Sequence, residues 1–205
     1  MSEIVDAYGL SCGVLVITEH DRHRAERAGK QWAEETKEKL GAGLEVWTRL
    51  VDTGLDVEGV KENAELFGMA LASLEEGKLR DCLLMHACEG TLEKLGENAS
   101  PDYSEETFLK LEHTAPDGED IKTMCSLLAV CCAYANAEQG YPFALMAYLL
   151  WWTGKFHSAY EYVDKALERD LHNSLASLLS RVLGAGVMPP WLARECGGFH
   201  ILALE

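Results

Sequence analysis

The chain opens with two short apolar runs on either side of an amphipathic stretch. Residues Cys12–Thr18 form a continuous apolar run rich in β-branched residues, which is typical of a strand covered on both faces. From about residue 20 to residue 40, apolar positions recur every three or four residues, as on a surface helix, and two glycines follow. Over residues Leu44–Val51, the pattern is that of a second strand, with successive side chains on alternate sides. This order predicts a parallel strand–helix–strand unit within residues 1–55.

The remaining residues, 56–205, have the spacing of consecutive helices. Apolar stripes are followed by an acidic, loop-rich connector, and residues 119–137 then read as an almost wholly apolar helix. Because two parallel strands alone make a poor sheet, a third strand is needed, and the terminal run Phe199–Leu204 is the candidate. We therefore predict an α+β fold that is mostly α, with both regions in one compact unit.

Residues 143–171 have the pattern of one tetratricopeptide-like helical hairpin. The small residues, the turn glycine and the aromatic residue of that consensus are matched by Ala147, Gly154, Phe156, Ala159 and Ala166. Small side chains let two helices approach closely, and the glycine allows a tight turn. Leu171 stands where a proline usually ends such a repeat. Because a solenoid needs about three repeats and the sequence shows one, we predict a structural hairpin buried between its flanking helices.

Several short motifs between residues 141 and 191 carry a family resemblance. They are Trp152-x-Gly154, Ala159 with Ala166-Leu167, Ser174-Leu-Ala176 and Gly186-x-x-Pro189-Pro190, with weaker likeness upstream at Arg80-Asp81 and Val14–Thr18. With these motifs the chain resembles a mostly actinobacterial group, the domain-of-unknown-function family 4192. That family brings no known reaction, cofactor or partner, so the resemblance implies no function.

The formal net charge of the chain is −16, and it is unevenly distributed. Residues 1–140 hold 13 basic and 28 acidic side chains, whereas residues 141–205 hold five basic and six acidic ones. The hairpin region is therefore nearly neutral. An acidic surface argues against binding nucleic acid through phosphates and against docking on anionic lipid. It favours solubility or the attraction of a basic partner.

The cysteine content and the start of the chain bear on the compartment. The chain has an odd number of cysteines, seven, and most of them lie within apolar helical stretches. Both observations favour free, reduced thiols. Residues 1–7 are polar and acidic, unlike a secretory leader. The longest clean apolar run, Pro142–Trp152, is about half of what a bilayer span requires. These features predict a cytoplasmic protein without a membrane segment.

The sequence contains no strong catalytic or cofactor motif, so we predict no cofactor and no metal. The candidate ligand site consists of Thr18, His20 and His23, because ligands of α/β proteins bind where a strand ends and a helix begins. The alternative is a solvated first helical turn with an acidic cap. His86 and Cys88 could form a nucleophilic pair, but side chains two apart on a helix diverge, so core packing fits them better.

Tyr148, Trp151 and Trp152 belong to a dense aromatic group that fits either core packing or a partner surface, self-association included. Two adjacent tryptophans cannot both face one core, so one of them covers another element or a partner. We favour a non-enzymatic interaction or scaffold protein that binds a protein partner or itself. The alternative is a domain that binds a small molecule, a nucleotide or a metal at the end of the first strand.

Overall fold

The structure, a computed structural model, describes residues 17–53, 57–97, 115–116 and 118–197. This part of the chain contains ten α-helices and one 3-10 turn, Leu92–Lys94. The helices are α1 Glu19–Glu35, α2 Lys39–Thr53, α3 Val57–Glu62, α4 Ala64–Ser73, α5 Gly77–Glu89, α6 Gly118–Tyr134, α7 Tyr141–Trp152, α8 Phe156–Arg169, α9 Ser174–Gly184 and α10 Pro190–Glu195.

The predicted α+β class is wrong, because the described residues contain no strand. Residues Leu44–Val51, predicted as a strand, lie within α2, and Gly43, predicted to stop a helix, is inside it too. Leu44, Trp47 and Leu50 are all buried, and their spacing of three places them on one face of that helix. A short apolar run fits both the two-residue period of a strand and the 3.6-residue period of a helix, and the surface that covers it decides between them.

The other two predicted strands fall largely outside the described residues. Of Cys12–Thr18, only Ile17 and Thr18 are described, and Thr18 is the extended N-cap of α1. The rest of that run and the terminal run Phe199–Leu204 lie outside the described ranges. In place of a strand–helix–strand unit, residues 19–53 form the helices α1 and α2.

Helices α1 and α4 cross with their backbones in contact. A Cβ atom on Gly68 would lie 1.9 Å from the carbonyl oxygen of Ala25, and a Cβ atom on Gly29 would lie 2.6 Å from the carbonyl oxygen of Gly68. Beside this crossing, the guanidinium of Arg24 donates two hydrogen bonds to the carboxylate of Glu65, at 2.7 and 2.6 Å. The crossing therefore depends on glycine on both helices and carries a bidentate ion pair at its edge.

One cluster of buried side chains extends from α1 to α9, so the regions predicted as 1–55 and 56–205 share a core. Its largest fully buried side chain is Trp47, whose indole N–H donates to the hydroxyl of Ser73 at 3.1 Å. Phe67 stacks on Tyr134 with ring centroids 5.6 Å apart. These contacts join α2 and α6 through α4, which places α4 at the centre of the first half of the molecule.

Helices α7 and α8 form the hairpin predicted over residues 143–171. Gly154 lies in the turn between them with a φ of +76°, a conformation that favours glycine. Ala147, Ala159 and Ala166 have no exposed surface, as close packing of the two helices requires. Helix α6 packs on one side of α7, and α9 packs against both α7 and α8. The hairpin therefore sits between neighbouring helices.

Candidate interaction surface

Thr18 is fully engaged in capping α1. Its hydroxyl accepts a hydrogen bond from the backbone N–H of Asp21 at 3.2 Å and donates one to the Asp21 carboxylate at 2.7 Å. The backbone N–H of Thr18 donates to the same carboxylate at 3.1 Å, which completes a capping box. These hydrogen bonds, with the Thr18 hydroxyl first, lower the pKa of Asp21. The threonine thus starts the helix and has its polar groups already paired.

His20 and His23 are exposed on the first turns of α1. The side chain of His23 is 74% exposed, and its closest acidic partner is Glu26, at 3.8 Å on the same helix. Within the described ranges, no group of three or more His, Cys, Asp and Glu side chains could hold a metal ion. The structure therefore does not bring Thr18, His20 and His23 together as a site, and the predicted ligand function of these residues stays a prediction.

A shallow groove of about 290 Å³ runs between α1, α4 and the end of α6. Its charged lining includes Glu26 and Lys30, which pair with each other at 2.8 Å, and Gly29 and Gly68 form its floor where the two helices touch. Pockets for small molecules usually start at about 300 Å³ and are mostly enclosed. This groove is smaller than such a pocket, and it lies directly above the close crossing of α1 and α4.

His86 and Cys88 on α5 are both buried, as the core-packing interpretation of these residues predicted. The Nδ1 atom of His86 lies 2.9 Å from the hydroxyl of Thr91, beyond the end of that helix. Burial raises the pKa of the Cys88 thiol well above its usual range, and it does the same for Cys131. A thiol that stays protonated is a poor nucleophile and a poor metal ligand, so these cysteines pack as small apolar residues.

Tyr148, Trp151 and Trp152 form one aromatic cluster at the end of α7. The Tyr148 ring stacks on Trp152 at 6.1 Å and meets Trp151 edge-on at 5.6 Å. The two indoles are 9% and 6% exposed. Trp151 donates its N–H to the carbonyl of Val187 at 2.9 Å, and Trp191 donates its own to the carbonyl of Trp152 at 3.0 Å. The segment from α9 to α10 therefore holds the Trp151 indole and reaches the backbone of Trp152, whose own indole N–H is buried without a hydrogen-bond partner.

This cover bears on the prediction that the aromatic cluster is a partner surface. The sequence argument required another element or a partner over one of the adjacent tryptophans, and Val187 supplies that element for Trp151. Burial also raises the pKa of the Tyr148 phenol, which keeps it neutral. The role of the cluster as a partner surface stays a prediction.

Helix α9 presents a second apolar surface that the sequence reasoning missed. One face of α9, with Ala176, Leu179 and Leu183, is buried against the hairpin. A second line of apolar side chains, here called the outer stripe, lies beside this face and consists of Leu171 in the turn before α9 and Leu175, Leu178 and Val182 on the helix, of which Leu175 and Val182 also pack against the core. Leu171 is 78% exposed and Leu178 is 49% exposed, and the other two are half-buried. The apolar positions of this helix are therefore too many for one buried face.

The course of the chain after α9 explains why the outer stripe is open. In a stack of helical hairpins, a helix such as α9 would begin the next repeat, and its own following helix would cover it. Here the helix that follows, α10, is six residues long and lies at the end of α7, where Trp191 reaches Trp152. In the described part of the chain, the stripe is therefore left at the end of the stack with Leu171, its most exposed side chain, in solvent.

Helix α9, which carries most of the outer stripe, has few charges. Arg181 is the one charged residue in α9, and Asp170 and His172 lie in the turn before it. This contrasts with the excess of 15 negative charges over residues 1–140. An apolar, nearly neutral surface on a strongly acidic protein is more typical of a contact site than of a solvated face.

No helix of the described residues is long and apolar enough to cross a membrane. No family model, curated protein or solved structure matches the chain. The resemblance to the domain-of-unknown-function family 4192 therefore stays a prediction.

Proposed function

We propose that this chain is a non-enzymatic interaction protein of the cytoplasm that binds a protein partner through the outer stripe of α9. The observation that carries the proposal is the exposure of Leu171 and Leu178 beside the half-buried Leu175 and Val182. The buried, protonated thiols of Cys88 and Cys131 support a reducing compartment, since they are free rather than paired.

The end of a helical stack normally carries a polar outer face, because an apolar one would cause association or precipitation. The outer stripe breaks this rule at the end formed by α9. Burying a leucine side chain fully contributes about 1.5–3 kcal/mol. Covering the exposed fractions of Leu171 (78%) and Leu178 (49%) would therefore contribute about 2–4 kcal/mol, or about 30- to 700-fold in affinity.

The proposal is tested by retrieval from native cytosol with three versions of the full chain as bait. The wild type is compared with Leu178→Glu, which places a charge in the outer stripe. The matched control is Ser177→Glu, which adds the same charge one residue earlier, about 100° around the same helix. We expect a set of proteins, further copies of the chain included, that the wild type and the control retain and the stripe variant loses.

The proposed function fails if the three baits retain the same proteins. It also fails if the wild type retains nothing and is strictly monomeric when purified. Circular dichroism of all three baits shows whether the fold is intact. Because Leu178 is about half exposed, its replacement removes little core packing, and the variant should stay folded.

A further inference from the structure

We propose that the end of α7 is a docking site for an extended, proline-containing segment of another protein. In the free chain, residues 187–192, here called the strap, occupy this site. The site is separate from the outer stripe, so the inference goes beyond the proposed function. The geometry that points to it is the way in which the strap lies on the aromatic cluster.

The strap resembles a proline-rich segment in an aromatic-lined groove. Pro189, followed directly by Pro190, has a φ of −55° and a ψ of 142°, close to the angles of polyproline II. Two residues earlier, the carbonyl of Val187 accepts the indole N–H of Trp151 at 2.9 Å. Met188 and Pro189 are buried. Proline-rich segments bind to aromatic surfaces in this extended form, because its conformation costs little entropy and its carbonyls remain open to donors.

The strap is an incomplete occupant of this site. The ring of Trp152 stacks on Tyr148, but its indole N–H is buried and has no hydrogen-bond partner. A buried donor without an acceptor corresponds to about 5- to 150-fold in affinity. A replacing segment that presents a carbonyl to this N–H therefore makes an interaction that the strap does not make. This difference lets a partner compete with a segment of the same chain.

The attachment of the strap is light. Besides the bond to Val187, a hydrogen bond from the indole of Trp191 to the carbonyl of Trp152, at 3.0 Å, joins it to α7. Helix α10, which begins within the strap, has six residues and packs extensively against none of the other described helices. Trp191 and Leu192 are half-buried. A segment with these contacts opens at a lower free energy than the whole fold.

The charge of this region narrows the class of partner. Residues 141–205 hold five basic and six acidic side chains, so net charge does not select what binds there. The strap itself contains no charged residue and has the sequence Val-Met-Pro-Pro-Trp-Leu. The partner segment is therefore expected to be uncharged, with adjacent prolines and an aromatic residue after them.

The test measures binding of the strap sequence, supplied as a peptide, to the full chain. The probe is a fluorescein-labelled peptide with the sequence of residues 185–195, and its matched control has alanine in place of both prolines. Fluorescence anisotropy compares three versions of the chain. They are the wild type, Trp191→Ala, which loosens the strap, and Glu195→Ala, which changes an exposed residue of α10.

We expect Trp191→Ala to bind the probe at least about 10-fold more tightly than the wild type, because loss of an aromatic anchor raises the fraction of open sites. Glu195→Ala should bind it as the wild type does. The control peptide should bind the loosened chain at least about 10-fold more weakly than the probe. Circular dichroism shows whether Trp191→Ala is folded, and Leu192→Ser is the second variant that loosens the strap.

A change on the receiving side tests the contact itself. In the loosened chain, Trp151→Phe keeps an aromatic ring and removes the N–H that donates to the carbonyl of Val187. The probe should then bind about 2- to 13-fold more weakly, which corresponds to one hydrogen bond. An unchanged affinity would mean that the probe binds elsewhere, which overturns the site.

The remaining outcomes are equally decisive. If Trp191→Ala and Leu192→Ser bind the probe no more tightly than the wild type, the strap does not occupy the site, and the inference fails. It also fails if the loosened chain binds both peptides alike. A dimeric wild type that the probe converts to a monomer would exchange straps between copies, which overturns a segment of another protein as the occupant. Leu178→Glu should bind the probe as the wild type does, so different variants report on this inference and on the proposed function.

Discussion

Replacing Gly68 with alanine is the sharpest test of the helix crossing at the centre of the first half of the molecule. The new Cβ atom would lie 1.9 Å from the carbonyl oxygen of Ala25, 2.5 Å from its carbonyl carbon and 2.7 Å from its Cα atom. All three neighbours are backbone atoms of α1, so no side chain can rotate away. The two helices would have to separate by about 1.5 Å to restore ordinary contact distances.

Such a separation affects the whole interface between α1 and α4. The buried Ala25 would lose its close contact, and the ion pair of Arg24 with Glu65, now at 2.6 Å, would stretch. Overpacking a core with side-chain atoms costs about 1–3 kcal/mol, and a rigid backbone neighbour belongs at the top of that range. The better helix propensity of alanine returns up to about 1 kcal/mol. We therefore expect Gly68→Ala to lower the free energy of unfolding by about 2–3 kcal/mol.

Urea unfolding followed by circular dichroism measures this loss, and the melting temperature should fall by about 4–12 °C. Gly184→Ala is the matched control, because a Cβ atom on Gly184 in α9 would meet no neighbour within 4 Å. It should be neutral or slightly stabilising. Gly29→Ala, whose Cβ atom would lie 2.6 Å from the Gly68 carbonyl oxygen, should show an intermediate loss. If Gly68→Ala unfolds at the same urea concentration as the wild type, α1 and α4 do not cross in backbone contact.

Three further predictions concern the ion pair, the turn and the cap. The hydrogen bond from Arg24 lowers the pKa of Glu65, so the pair stabilises the fold above the ordinary glutamate range and loses this effect as the pH falls through the lowered pKa. The stability difference between wild type and Glu65→Gln should shrink as the pH falls from about 5 through the lowered pKa, and a difference independent of pH would contradict this. Gly154→Ala places a Cβ atom at a φ of +76° and should cost about 1–2 kcal/mol, whereas an unchanged urea midpoint would mean a different turn. Thr18→Ala removes the hydroxyl that pairs with Asp21 and should cost about 1 kcal/mol, with no change expected if α1 begins elsewhere.

The hairpin shows how far local sequence pattern reaches. The helices predicted over residues 143–171 lie there as α7 and α8, and their turn is at Gly154. Local signals sufficed, because small residues, a turn glycine and a helical period occur together within one short segment. The aromatic cluster was different. The need for a cover over Trp151 or Trp152 was visible in the sequence, but that residues 187–191 provide it depends on the path of the chain in space.

The prediction of an N-terminal strand unit failed at Leu44–Val51, because the same apolar run has a period of two on one reading and a helical face on the other. The tertiary structure selects the helical face, because Trp47 on that face fills the core and donates a hydrogen bond to Ser73. The candidate site at Thr18 depended on a strand that ends there, of which only Ile17 and Thr18 are described, so the site stays a prediction. The capping role of Thr18 could have been predicted from Thr18 and Asp21 at capping-box spacing.

The sequence by itself therefore determined the hairpin, the uneven charge and the apolar positions of α9. The tertiary structure decided which of those positions are buried, because that depends on where α7 and α8 lie relative to α9. Leu179 and Leu178 are adjacent and chemically identical, yet one is 2% exposed and the other 49%. A helical period shows that two faces are apolar, and the packing of other elements selects the one that water meets.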